Sequence, residues 1–325
     1  MPISFDPVEV ARKIQLTGEG RWGDRDIIMR AAIPWYEKTN VPEADIMKGA
    51  AHPVAQAAVE SSKLGEKESF LEHLEVIFTP IKYRIESLEW RSLLQADHAN
   101  DGFLDDAVRN RTGKEILAPD AMIANFEKSV HHLIAYGGAM GVDSLFYLNR
   151  VRFIDSSEFV GGSWGDLVGL AYFGRDTFSS PYVGSASILH EALHSKAQYI
   201  ARGLFRYQLD ENADENIEIP WWTTKNSRTY WNLSRSFDAF HVYSHISLLH
   251  ASAFITEGSK ESLKLCQVAS FRAAFLSSLL ARASSNELDE ERRELVAWLT
   301  PLAIKPFGLT DEARAIIANP GRFER

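Results

Sequence analysis

The residues with the clearest chemical potential are His190, Glu191 and His194, in the segment SASILHEALHSK at residues 185–196. They match the pattern H-E-x-x-H. On an α-helix, residues four apart share one face about one turn from each other. Two neutral imidazoles so placed can hold one metal ion, and zinc and iron both accept such donors. Glu191 projects beside them and can take a proton from metal-bound water. Three fixed residues also match by chance, so context decides. SASIL precedes the motif and AQYIARGLF follows it. That makes the helix amphipathic and partly buried, unlike a solvated run of polar side chains.

An open catalytic site needs a third protein ligand. The metzincin extension requires a glycine and then a histidine further along the same segment, where this chain has Ala197 and Ile200. A gluzincin places a Glu on a following helix; Glu215 is at about that distance, but within the loop-like acidic stretch DENADENIE. His241, His245 and His250, in FDAFHVYSHISLLH, are better candidates. His241 and His245 share a helical face, and His250 is rotated by roughly 140° from His245. Spacing alone does not choose between His241 and His245. Three imidazoles would leave metal positions for water, a carbonyl or a bidentate oxo-acid.

These residues must be positioned by the elements around them. The hydrophobic periodicity predicts helices over residues 6–18, 24–40 (one helix, or two broken at Pro34), 52–65 and 67–98, and over 119–138 with a stop at Gly137-Gly138. From about residue 145 the pattern changes. SLFYLNRVRFIDSS reads as one or two strands and GDLVGLAYFGR as another. A short loop, DTFSSPYVGSA, leads into the H-E-x-x-H helix, expected from about Ala186 to Tyr207. A strand before a metal-binding helix is a zincin arrangement, in which an edge strand can pair with an extended peptide. The connection LDENADENIEIPWWTTKNSRTYWN carries Trp221, Trp222 and Trp231, which argue against simple disorder. Amphipathic helices follow over 234–258, 259–283 and 289–303, with a short one in the tail LTDEARAIIANPGRFER. The expected fold class is therefore α+β and mostly helical: a small antiparallel or mixed sheet beside a zincin-like metal-binding helix, flanked by N- and C-terminal helices. The expected division is an N-terminal helical region, 1–142, and a metal-binding region with C-terminal helices, 143–325, which together could form one continuous domain.

Composition narrows the function. The chain has 325 residues, 45% hydrophobic and 24% charged, as in an ordinary globular protein. A net charge of −9 argues against a general nucleic-acid binder, which needs a basic face. The single cysteine, Cys266, rules out an internal disulfide and a Cys-rich zinc site, and reads as a small core residue. The N-terminus shows no secretory pattern, and no apolar run looks long enough to span a membrane. The expectation is a cytoplasmic protein with no nucleic-acid or membrane partner.

The segments LHEALHSK, IPWW, SRSF and HVYSHI, in that order, resemble the H-E-x-x-H-motif proteins of ribosomally synthesised peptide clusters. That family includes 2-oxoglutarate-dependent peptide β-hydroxylases. The resemblance covers roughly residues 150–255. It implies His245, in Val242-Tyr243-Ser244-His245, as the third ligand beside His190 and His194. It implies Arg235 as the partner of the far carboxylate of 2-oxoglutarate, with Arg228 and Lys225 behind it, and the forked guanidinium suits that contact. Tyr243 would join the cofactor pocket, and His241 and Trp222 the substrate pocket. The connection TTKNSRTYWN is longer than the family's, and His241 stands where the family carries a small residue.

By this resemblance the metal is Fe(II) and the co-substrate 2-oxoglutarate, whose oxidative decarboxylation drives hydroxylation of a β-carbon on a peptide or amino-acid side chain. Glu191 then orients a ligand or water. The alternative is a zinc metallopeptidase or other hydrolase with Glu191 as general base. A third class is a non-catalytic maturation partner with a structural metal. The substrate could carry a leader or carrier segment docked by the N-terminal helices.

Overall fold

The computed structural model describes residues 115–116, 118–148, 150–157, 159–163, 169–203, 217–221, 230–284 and 287–304. The helices expected before residue 110, the tail helix, Glu215, Trp222, Lys225 and Arg228 lie outside the described residues. Those described form two compact units, one within 115–203 and one within 217–304. Helix dominates both, and each carries a small sheet. The α+β, mostly helical class is thus observed.

The first unit contains β1 (Glu115–Ile116), α1 (Asp120–Phe146), β2 (Arg150–Ile154), β3 (Gly161–Gly162), β4 (Leu170–Gly174) and α2 (Pro181–Gly203). The sheet order is β1-β2-β4-β3. β2 and β4 run parallel, with Phe153 opposite Phe173, while β1 and β3 add antiparallel edges. Paired residues share a sheet face, so the two phenylalanines point together. Phe126 of α1 and Phe178, just before α2, close over them, with ring centroids 5.1–6.5 Å apart. Phe126 and Phe173 are fully buried, and each such ring contributes about 1.5–3 kcal/mol of burial free energy.

α1 does not stop at Gly137-Gly138. Gly138 adopts φ 52° and ψ −132°, and the chain resumes helical turns to Phe146. Only glycine takes that backbone without strain, so the expected stop is a kink. Residues 144–146, read as strand, are helical, and residues 142 and 143 both lie inside α1. α1 packs along α2. Ser185 Oγ and His132 Nδ1 are hydrogen-bonded at 3.0 Å across that interface. The ring of His132 lies against Tyr136 and Tyr182.

The second unit contains β5 (Ile217–Glu218), β6 (Tyr230–Trp231), α3 (Leu233–Glu257), α4 (Lys260–Leu280) and α5 (Glu290–Ile304). The β5–β6 pair is antiparallel and was not foreseen; two-residue strands leave no periodicity to read. Asn232 caps α3 through Oδ1, which accepts the Arg235 N–H at 2.8 Å. Gly258 ends α3 in the left-handed region at φ 69°, and Ser259 begins α4 as its N-cap. Asp289 likewise accepts the Arg292 N–H at 2.9 Å before α5, and its carboxylate pairs with the Arg292 guanidinium.

Every residue of α3 from Ala239 to Ala253 is buried, the pattern of a helix enclosed all round. Its serines turn their hydroxyls inward: Ser236, Ser244 and Ser247 donate to carbonyls three or four residues back. The Ala303 carbonyl, in the last turn of α5, accepts from Ser247 Oγ at 3.2 Å and Ser270 Oγ at 2.8 Å. Helix ends leave such carbonyls without intrahelical partners; here the neighbouring helices supply the donors. By length and composition α4 could cross a membrane, but half of the apolar window is buried within the protein. Packing against α3 and α5 accounts for its apolar character.

Candidate metal centre

α2 begins at Pro181, earlier than expected, and carries the H-E-x-x-H residues in its middle. The rings of His190 and His194 stand on one face, with their Nε2 atoms 3.1 Å apart. A metal about 2.0–2.1 Å from each nitrogen would see them at an angle of about 95–100°, between octahedral and tetrahedral values. That separation is compatible with one ion bound by both nitrogens. Both imidazoles are half-buried.

Glu191 occupies the neighbouring face and is buried, with 4% exposure. Its Oε2 accepts the Ser163 hydroxyl at 2.7 Å. Oε1 lies where a Cβ on Gly161 would approach to 3.1 Å, so the glycine leaves room for the carboxyl. Burial pushes the Glu191 carboxyl up to about 7, and the Ser163 hydrogen bond pulls the other way. The residues holding Glu191 belong to or adjoin β3, an edge strand in the sheet order among the described residues. Ser163 lies 28 residues from Glu191 in a Gly-Gly-Ser stretch that reads only as a turn, so nothing in the sequence linked the two. Behind the motif, Ser195 Oγ accepts the Gly169 N–H at 2.9 Å, tying α2 to the start of β4. The Lys196 ammonium lies 5.2 Å from the centre of the Tyr147 ring.

The other candidate residues lie in the second unit. His241 and His245 are both buried at 2% exposure, with ring centroids 4.4 Å apart. His245 Nδ1 is 2.7 Å from the His241 carbonyl oxygen. A carbonyl only accepts, so Nδ1 carries a proton; in the neutral ring Nε2 then keeps its lone pair. Metal-binding histidines are commonly oriented in this way. His250 is also buried.

Tyr243 faces a different direction. Residues two apart on a helix point about 160° apart, and the Tyr243 hydroxyl accepts from Arg272 at 3.3 Å. Any cofactor contact by Tyr243 would be made from that face of α3, not from the face carrying His241 and His245. Arg235 sits in the first turn of α3, half-buried, with its guanidinium 5.0 Å from the centre of the Trp231 ring. Among the described residues, no three His, Cys, Asp or Glu side chains form a group able to hold a metal.

The chain matches no protein-family model and no curated protein.

Proposed function

We propose that the chain is an Fe(II)/2-oxoglutarate-dependent hydroxylase acting on the β-carbon of a peptide or amino-acid side chain, within the biosynthesis of a modified peptide. The observation that carries the metal part is the convergence of His190 and His194 Nε2 atoms at 3.1 Å. His245 is assigned as third ligand from its register in Val-Tyr-x-His, supported by the protonation pattern its Nδ1 contact imposes. Bound iron with 2-oxoglutarate and O₂ would supply the oxidising power. The protein's residues bind and orient. By the resemblance, His190, His194 and His245 would hold the metal through neutral nitrogens, and Arg235 would offer a forked contact to the far carboxylate of the keto acid. Glu191, hydrogen-bonded to Ser163, holds a proton or orients water beside the metal face. The edge strand β3, flanked by the exposed Val160, supports an extended peptide as substrate.

A second reading rests on Glu191. A carboxyl pushed up to about 7 suits a general base at neutral pH, as a zinc peptidase requires. Anaerobic addition of Fe(II) and 2-oxoglutarate separates the two. A visible charge-transfer band that needs both components is expected for the hydroxylase. No band, with tight zinc binding and peptide cleavage lost in Glu191→Gln, would replace it by the hydrolase.

A further inference from the structure

Arg272, on α4, was not singled out by any sequence pattern. Its guanidinium carbon lies 5.0 Å from the centre of the Tyr243 ring and 5.6 Å from that of Trp221. One of its nitrogens, Nη1, donates to the Tyr243 hydroxyl at 3.3 Å. Among the described residues no carboxylate pairs with it. The residue is half-buried. A guanidinium has five N–H donors in a planar fork, and the Tyr243 hydroxyl takes one.

The walls of this place are fixed. Trp221 packs edge-on against Trp231, Tyr243, Phe271 and Phe275, with centroids 5.2–6.3 Å away. Its indole Nε1 is buried and, among the described residues, has no acceptor. Leaving a buried N–H without a partner is unfavourable. Among the described residues, the second unit thus places a guanidinium with donors beyond the one Tyr243 accepts beside an indole whose Nε1 has no acceptor, both packed on aromatic rings. The chemistry common to both groups is a demand for an acceptor.

We infer that Arg272, Trp221 and Tyr243 form a binding site for a small carboxylate. The fork matches the two oxygens of a carboxylate, and the half-buried Trp221 ring adjoins it. Aromatic faces on the guanidinium hold its plane, so less side-chain freedom is lost on binding. The site is built within one unit and rests on none of the metal-ligand assignments.

The test uses the full-length protein in chelator at fixed ionic strength, titrated with succinate, benzoate and inorganic phosphate and read by tryptophan fluorescence. Neither carboxylate carries the 2-keto group that would chelate a metal, so failure of the iron assignment leaves this experiment untouched. The expected result is saturable binding of at least one carboxylate, and a fluorescence change missing in Trp221→Phe. Arg272→Met should weaken that binding at least tenfold and Arg272→Lys less, because the lysine keeps the charge without the fork. Calorimetry of Arg272→Met checks that folding is retained; if it is not, Tyr243→Phe, which leaves the guanidinium in place, should weaken binding severalfold. No saturable carboxylate binding, preference for phosphate, or unchanged binding in folded Arg272→Met would each overturn the inference and leave Arg272 as a brace for Trp221.

Discussion

Replacing Glu191 by Gln in the metal-free protein removes a carboxyl that folding takes out of water. Burial raises this carboxyl from 4.5 to about 7 in the native state. The native state therefore keeps a proton that the unfolded chain gives up near pH 4.5. Between these two values the native state binds more protons than the unfolded one, so stability falls as pH rises. The contribution costs nothing below the lower value and is complete above the higher. At about 1.4 kcal/mol per pH unit, the interval from 4.5 to about 7 corresponds to roughly 3–3.5 kcal/mol. Glu191 is 4% exposed, so solvent screening takes little from that figure. The carboxamide stays neutral throughout, and its oxygen can still accept the Ser163 hydroxyl. Urea unfolding of wild type and Glu191→Gln, in chelator at pH 4, 5.5, 7 and 8.5, reads the difference directly. The two should be close at pH 4, with the variant gaining up to about 3 kcal/mol by pH 8.5. A difference that does not change with pH would refute the argument.

Four further outcomes follow from the same geometry. Ser163→Ala removes the contact that lowers the Glu191 value, so the midpoint of that pH-dependent difference should move upward; an unchanged or lower midpoint would detach Ser163 from Glu191. Phe126→Ala should destabilise the protein by about 3–5 kcal/mol, since the ring is fully buried among three others, as measured by chemical denaturation. His245→Ala should abolish retention of Fe(II) or Zn(II) in equilibrium dialysis while His241→Ala largely spares it, and the reverse would shift the ligand by one helical turn. Arg235→Ala should weaken 2-oxoglutarate binding far more than metal binding, and equal loss of both would remove it from that role.

What could be read in advance followed the strength of local patterns. The helices carrying the histidines were legible because apolar residues recur over many turns and their ends carry signals such as Gly258. The strand at 170–174 was legible from its uniformly apolar side chains, buried on both faces. The kink at Gly138 was not, because a Gly-Gly pair reads as a terminus whether or not the chain resumes helical turns afterwards. Strands β3, β5 and β6 are too short to show alternation. In the candidate site, His190 and His194 were legible because their relation is local, four residues on one helix. The contacts of Ser163 with Glu191, and of Arg272 with Tyr243 and Trp221, join residues 28 to 51 apart in the chain. One sequence carries no mark of such pairings. The opposed facing of Tyr243 and His245, by contrast, was implicit in their two-residue spacing.

The joint between α3 and α4 has a bearing on how this protein can change over generations. Gly258 and Ser259 are all that separate the two helices, and each already serves as a cap. No residue there is spare. An insertion would displace either the left-handed turn or the serine that opens α4, and would shift the whole second helix against the first. Surface loops absorb added length freely; this corner cannot. Among descendants of this sequence, the chain length between His245 and Arg272 should be inherited unchanged even where the side chains around it drift.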